Sequence, residues 1–354
     1  MGEAPILMTG GSGFLGRACL RAFGELPDPP ALELLLRREA RVRLSQEGLL
    51  RPQWGCLEGD LAQEKLALPS DVYERIAGRL GGILHCAGNV RFDLNLEEAR
   101  RVNVTGTRRL LELAEAAAAG GRRIRFDHVS TAYVIGRRSG SFTEGEAPRD
   151  GQFCNTYEQS KWEAEQAVCA AAEKLAVTIY RPSILLPGSV EQSQPGALAP
   201  VWCARILGSL LFLPGRPSAR LDLIAVDQAA RVLVRYLSRE APGGVIHLSA
   251  GSAHALSLGE LVELAAARLG VRQPPWVAPE HFRRWVRPLL WVALYGRARA
   301  IWRSGENLLP YLEQSRCFEP LRASSDFPWW SEQAAQIRER LNQLLGELEP
   351  SGRA

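Results

Sequence analysis

Tyr157 and Lys161 stand four residues apart in Tyr157-Glu158-Gln159-Ser160-Lys161. On a helix that spacing puts phenol and ammonium on one face, where the cation can lie beneath the phenol and favour its ionised form. A phenol of ordinary pKa, ~10, transfers protons poorly near neutrality, and a neighbouring cation would correct that. Alone, the spacing is cheap and usually marks a solvated pair. Its chemical meaning comes from two features upstream, the hydroxyls of Ser130-Thr131 and a glycine-rich segment near the N-terminus.

That segment is Thr9-Gly10-Gly11-Ser12-Gly13-Phe14-Leu15-Gly16, placed after an apolar run and before a helical pattern. Glycines let the backbone approach a diphosphate, and a helix N-terminus offers unpaired N–H groups and positive partial charge. Gly10, Ser12, Gly13, Phe14, Leu15 and Gly16 are therefore candidate cofactor-binding residues.

The second apolar run ends in Leu36-Arg37-Arg38, where an NAD-selective protein usually carries a carboxylate for the ribose 2′-hydroxyl. Two guanidiniums suit a 2′-phosphate, so NADPH is expected over NADH, although Glu39 follows at once and the arginines also fit a merely solvated surface. Asp60 and Leu61, after the third run, are placed to meet an adenine. His85-Cys86-Ala87-Gly88 ends the fourth, with Ala87 and Gly88 near the dinucleotide and Cys86 a small groove-lining residue with no recognisable base beside it.

Several elements must position these groups. Pro5–Thr9, Leu32–Leu36, Gly55–Glu58, Gly82–His85, Ile124–Ser130 and Val177–Arg181 read as strands, alternating with helical patterns at 14–24, 71–80, 97–118 and 156–175. Alternation implies an α/β, Rossmann-like, doubly wound parallel sheet with its ligand site at the carboxyl ends of the strands. After about residue 187 the rhythm changes. A strand pair is expected at Leu221–Val226 and Val245–Leu248, then mostly helix from 257. The expected division is a nucleotide-binding domain over 1–190, joined by strands from about 221–250, and a smaller, mostly helical substrate lobe over 191–354.

Composition excludes other classes. With 354 residues, 46% hydrophobic and 23% charged, the chain can bury a large core and is neither disordered nor a disulfide scaffold. The seven cysteines include no CxxC pair and no Cys/His ligand spacing, so a reducing, cytoplasmic setting without metal is expected. No signal peptide and no transmembrane segment are expected. A net charge of +4 is too small to imply nucleic acid. Lysine is rare, with only Lys65, Lys161 and Lys174 among 43 basic residues.

The segments TGGSGFLGR at 9–17, LLLRR at 34–38, HCAGNVRFD at 85–93, NVTGT at 103–107, HVSTAYV at 128–134, YEQSKWEAE at 157–165, YRPSILLPG at 180–188 and LDLIAVDQAA at 221–230 resemble an extended short-chain dehydrogenase/reductase. The resemblance is strongest to the branch of fatty acyl-CoA reductases, male sterility proteins and thioester reductases. It implies that Thr131 polarises a substrate carbonyl, Tyr157 donates a proton, Lys161 binds the nicotinamide ribose, and Asn103 supports the active site. It also implies that Pro182 and Ser183 border the cofactor and makes Ser130 an auxiliary hydroxyl, for which an ordinary strand-end hydrogen bond is the better reading. The implied reaction is NADPH-dependent reduction of an acyl thioester, on CoA or an acyl carrier protein, to an aldehyde, with a second reduction to the alcohol also open to this family. The pattern departs at His85-Cys86-Ala87-Gly88, where these families more often show an Ala-Ala or Gly-Ala pair.

Two other classes share these residues: an oxidoreductase acting on a ketone or hydroxyl, and a non-catalytic NADPH sensor, which would not need the intact triad. Residues 270–303 carry Arg272, Arg283, Arg284, Arg287, Arg297, Arg299 and Arg303 against the single acid Glu280, interleaved with Trp276, Trp285, Trp291 and Trp302. This run fits an amphipathic helical pair on the core, a surface for CoA phosphates or an acidic carrier, or peripheral membrane contact. Pro288 should kink or restart its helix. The loop 137–156 has a length suited to closing over substrate or to an ordinary surface excursion. Monomer and homodimer are both compatible with the sequence.

Overall fold

The computed structural model describes residues 4–146, 151–188, 207, 210–239, 242–293 and 306–346. Arg297, Arg299, Trp302 and Arg303 lie outside them. The chain begins β1 (Ile6–Thr9), α1 (Phe14–Glu25), β2 (Leu32–Leu36), α2 (Arg38–Gln46), β3 (Gly55–Glu58), α3 (Ser70–Arg79) and β4 (Gly82–His85). It continues through α4 (Leu96–Arg100), a π-turn (Arg101–Thr105), α5 (Gly106–Ala118), β5 (Arg125–Val129), β6 (Gly140–Phe142), α6 (Thr156–Ala170) and β7 (Ala176–Pro182). Then come β8 (Ile184–Leu186), β9 (Leu213–Pro214), β10 (Arg220–Leu221), β11 (Leu223–Ala225), α7 (Val226–Leu237), β12 (Gly244–Leu248), β13 (Leu256–Ser257), α8 (Leu258–Leu269), β14 (Trp276–Val277) and β15 (Arg316–Phe318).

The central sheet has seven strands in the order β12-β7-β5-β4-β1-β2-β3, every neighbour parallel. Its strands are short apolar runs because both faces are covered. The period of two divides their side chains: Ile6, Met8, Leu32, Leu34 and Leu36 join a core with α1 and α7, while Leu7, Leu35 and Ile83 join one with α3 and α5. The strand order reverses between β1 and β4, which opens a crevice at their carboxyl ends.

Three expectations change. The polar helix α2 carries no signal in the sequence because it buries only Leu44 and shows no apolar stripe. The helix over 97–118 is interrupted at Arg101–Thr105. Leu221–Val226 is not one strand, and it does not pair with Val245–Leu248. β12 joins the central sheet beside β7, β11 pairs with β8, and β10 lies in a second sheet ordered β13-β10-β15-β6. The break falls at Asp222, whose buried carboxylate accepts from Ala250 N at 2.8 Å, Phe318 N at 2.9 Å and Gly251 N at 3.2 Å. In the loop after Thr131, whose residues 147–150 lie outside the described ones, β6 pairs with β15 and Arg137 N donates to Gln152 O at 2.7 Å.

The second sheet brings Arg316 inside. Its Nη1 donates to Glu158 Oε1 at 3.1 Å and to Gly136 O at 3.1 Å. The guanidinium carbon lies 4.6 Å from the Tyr133 ring and 4.4 Å from the Tyr311 ring. Glu158 and Arg316 are 0% and 1% exposed, so each charge depends on the other. Arg316→Met is expected to lower the unfolding free energy by about 3–5 kcal/mol, because it strands a buried carboxylate. Glu158→Gln added to it should recover much of the loss in urea unfolding. Equal destabilisation of single and double variants would contradict this account.

Candidate active site

The crevice is built on glycine. Gly10 has φ +74°, and a Cβ there would meet Ala87 N at 2.4 Å; a Cβ on Gly16 would meet Gly10 O at 2.0 Å. The loop therefore packs backbone to backbone, with Gly13 N donating to Gly10 O at 2.9 Å. Gly13 caps α1 with no side-chain bond, and the first turn holds no acid. The N–H groups of Phe14, Leu15 and Gly16 have no partner within the helix, as at any helix start. Ser12 O accepts from Arg17 Nε at 3.0 Å.

Arg37, exposed, is the N-cap of α2, and Arg38, exposed, is its first residue. Beside them Gly59 N donates to Leu36 O at 3.0 Å. Asp60 Oδ1 accepts from Ala62 N at 2.8 Å, and Leu61 is buried against the α3–α5 core. Pro182 ends β7, and Ser183 N donates to Leu248 O at 2.9 Å, tying this corner to β12.

Thr131 follows β5 and caps a 3₁₀ turn, its hydroxyl accepting from Tyr133 N at 3.3 Å. Tyr157 sits in the first turn of α6, which Asn155 caps by accepting from Glu158 N at 2.9 Å. Burial pushes the Tyr157 phenol up to about 12, opposed by the Thr131 hydroxyl beside it and reinforced by the Glu158 carboxylate. Lys161 is buried and donates to Val129 O at 2.6 Å. Burial brings its ammonium down to about 8, against the opposing pull of Glu165 and Cys86. The expected effect of Lys161 on Tyr157 is thus not what dominates here: desolvation governs the phenol, and the ammonium is bonded to the end of β5. Ser130 differs as well. Its hydroxyl is buried with no partner among the described residues, and its N–H donates to Tyr180 O at 2.7 Å.

Asn103 occupies the π-turn and is 1% exposed. Its Nδ2 donates to Asn89 O at 3.0 Å and Ser160 Oγ at 2.9 Å, while its Oδ1 accepts from Asn89 N at 2.7 Å. Ser160 Oγ donates in turn to the carbonyl of Tyr157 at 3.0 Å. The departure at Gly88 has a steric reading: an added Cβ would come within 3.3 Å of Asn103 Oδ1 and 3.9 Å of Lys161 Nζ. The structure thus gathers Thr131, Tyr157, Lys161, Asn103 and Gly88 at one end of β4 and β5.

Sequence reasoning missed the aromatic wall beside Tyr157. Phe92 lies 5.6 Å from the Tyr157 ring and stacks on Tyr311 at 5.7 Å, and Tyr133 lies 5.0 Å from Tyr311. Tyr311 donates to Glu158 Oε1 at 2.6 Å. Phe92 and Tyr133 sit inside motif segments and could have been found; Tyr311 and Arg316 carry no local signal. In the arginine-rich run, Arg283 and Arg287 pair with Glu313 and Glu306 at 2.5 and 2.7 Å. Trp285 and Leu289 are 60% and 70% exposed there, whereas Phe282 is fully buried. The π-turn Phe282–Val286 precedes Pro288, where the helix was expected to kink or restart.

The chain is similar to several known proteins. Fatty acyl-CoA reductase 1 of Rattus norvegicus is 29% identical over 274 residues, covering 63% of this chain and 52% of that protein. A nonribosomal peptide synthetase of Aspergillus flavus is 27% identical over 263 residues, covering 67% of this chain and 25% of that protein. The chain spans about half the length of the fatty acyl-CoA reductases it matches. Among solved structures, the terminal R domain from the myxalamid PKS-NRPS biosynthetic pathway superimposes with TM-score 0.72 at 23% identity, covering 96% of this chain and 90% of that one. The dTDP-glucose 4,6-dehydratase DesIV from Streptomyces venezuelae superimposes with TM-score 0.65 at 21% identity, covering 98% and 99%. These likenesses establish the extended Rossmann-like fold. The family model of male sterility proteins matches residues 8–233, a span that holds the glycine loop, Asn103, Thr131, Tyr157 and Lys161 and most of the central sheet, and so the chain belongs to the male sterility protein family.

Proposed function

We propose that this protein is an NADPH-dependent reductase of acyl thioesters, carried on CoA or on an acyl carrier protein, that yields an aldehyde. The observation that carries the reading is the meeting of Thr131, Tyr157 and Lys161 with the glycine loop in one crevice, in a family whose members here include fatty acyl-CoA reductases. The residues suit the cofactor. The open first turn of α1, at Gly13, Phe14, Leu15 and Gly16, accepts a diphosphate. Exposed Arg37 and Arg38 provide forked donors for a 2′-phosphate. Asp60 and Leu61 border the adenine, Ala87 and Gly88 the middle of the dinucleotide, and Pro182 and Ser183 the nicotinamide end. Lys161 leaves the Val129 carbonyl to hold the ribose.

When bound, reduced nicotinamide supplies the two electrons of the reduction. Thr131 and Tyr157 act on the substrate carbonyl: both hydroxyls aim at the oxygen on which negative charge develops, and Tyr157 gives it a proton. Collapse of the hemithioacetal then breaks the C–S bond, and the proton on oxygen leaves with the thiol. The Tyr157 phenol, pushed up to about 12 by burial, carries its proton at neutral pH, and a nearby cation is needed to make it an effective donor. The wall of Phe92, Tyr133 and Tyr311 lines the approach with apolar surface suited to an acyl chain. Among the described residues no helix is long and apolar enough to cross a membrane.

Incubation with NADPH and a panel of acyl-CoAs and ketones, following NADPH absorbance and free thiol together, separates the readings. Thiol released in step with NADPH oxidation is expected. Oxidation with ketones and no thiol would assign the protein to ketone or hydroxyl chemistry, and no turnover of any compound would favour the sensor. Tyr157→Phe should keep NADPH affinity and lose roughly 10²–10⁴ in kcat; full activity would remove Tyr157 from the chemistry. Arg37→Glu should weaken NADPH more than NADH, and unchanged selectivity would detach that arginine from the 2′-phosphate. For pH, Lys161 is an ammonium below about 8 and neutral above it. Because kcat/KM reports groups of the free enzyme, it should fall as pH rises through about 8, and a flat profile would show that the Lys161 charge is not needed.

A further inference from the structure

One buried titratable group next to the crevice has no task in the reaction just described. His85 ends β4, is 0% exposed, and engages both ring nitrogens: Nδ1 lies 2.8 Å from Thr9 Oγ1 and Nε2 lies 3.0 Å from Thr107 Oγ1. Thr9 immediately precedes the glycine loop, and Thr107 lies on α5 one turn after Asn103.

The direction of every bond in this chain is forced. Thr107 Oγ1 is 2.6 Å from the backbone carbonyl of Asn103. A carbonyl only accepts, so the single hydroxyl hydrogen of Thr107 is committed to it. Nε2 of His85 must therefore carry a hydrogen and donate it to Thr107. A neutral imidazole has one N–H, which leaves Nδ1 bare to accept from the Thr9 hydroxyl. Thr9 Oγ1 in turn accepts from Ala87 N at 3.3 Å. Doubly protonated His85 would leave the Thr9 hydrogen without this acceptor and set a second cation beside Lys161. The titratable groups around the ring are Lys161 and His128, the latter on β5 with ring centroids 5.2 Å apart. Burial and the Lys161 ammonium hold His85 down at about 3.

We infer that His85, as the Nε2–H tautomer, is a positioning residue that couples the Thr9–Gly10 strand end and the Cys86–Gly88 turn to Asn103 and, through Ser160, to the backbone of Tyr157. The cofactor-facing turn and the proton-donating helix are thereby set by one hydrogen-bonded chain. It runs from Ala87 N through Thr9, His85 and Thr107 to the Asn103 carbonyl, while the Asn103 side chain reaches Ser160 and Ser160 reaches Tyr157 O. This rests on the reading of Asn103 and Tyr157 as site residues.

The test combines spectroscopy with kinetics on the full chain. Nitrogen-15 NMR of histidine-labelled protein, with the His85 signals assigned by their loss in His85→Phe, should show one unprotonated Nδ1 and one protonated Nε2 that do not titrate where free histidines do. An Nδ1–H tautomer, or titration in that range, would overturn the chain. In turnover of the acyl-CoA found active in the panel, His85→Phe should lower kcat roughly ten- to a hundredfold with KM little changed, the effect of a small displacement transmitted to the reacting groups. His85→Gln, which returns a donor toward Thr107, should recover part of the loss. Thr107→Val combined with His85→Phe should be hardly worse than the poorer single variant, because both cut one link. Wild-type kcat in His85→Phe, or fully additive losses, would refute the coupling. With Tyr157→Phe inactive, such a result would reject the His85 link and leave the site intact; an active Tyr157→Phe would overturn both.

Discussion

The approach of the Gly10 backbone to the Cys86–Ala87 peptide is the constraint on which this structure turns. A Cβ at Gly10 would meet Ala87 N at 2.4 Å, so the ends of β1 and β4 can meet only where glycine has no side chain to interpose. That contact lies where the strand order of the parallel sheet reverses. It holds the uncapped start of α1 and the Cys86–Gly88 turn around one crevice, and the polar chain through Thr9, His85 and Thr107 supports it from beneath. His85, Thr9 and Thr107 are buried there, so each of these polar groups needs a partner, and here the partners are particular side chains.

The second determinant comes from far along the chain. β15 adds to β10 and β6 and carries Arg316 to the carboxylate next to Tyr157 in sequence. The guanidinium lies over Tyr133 and Tyr311 while paired with Glu158, so β15 and the helix bearing Tyr157 are held together by a charge neither could bury alone. The aromatic wall and the segment between Thr131 and Tyr157 are thereby placed by residues more than 150 positions away.

Burial also sets the protonation of the crevice. It pushes the phenol of Tyr157 up to about 12 and the ammonium of Lys161 down to about 8, each toward its neutral form. A neutral phenol is the form that donates a proton, and an ammonium bonded to Val129 O is available to exchange that carbonyl for a ligand hydroxyl at little electrostatic cost. In the proposed reduction the phenol would have to give up its proton against this desolvation, which makes the charge of Lys161 the group that matters beside it.

Features that depend on neighbours in sequence were legible before folding. Strand and helix alternation follows from apolar runs of period two and 3.6, the glycine loop from its spacing, and the common face of Tyr157 and Lys161 from their four-residue spacing. All six of the early strands lie within a residue or two of their expected bounds, and Arg37 and Arg38 do stand exposed at the end of β2. What failed lacked a local signal or was overruled by distant partners. The polar α2 has no apolar stripe, and Leu221–Val226 is split because Asp222 is claimed by three N–H groups from two other segments. The phenol answers to desolvation more than to the lysine four residues on. Arg316 is one arginine in a chain full of them, and only the pairing of β15 with β6 and β10 makes it the buried partner of Glu158. Spacing along the chain determines which groups can share a face; tertiary packing alone decides which of them lose water, and hence which charges and hydrogen bonds survive.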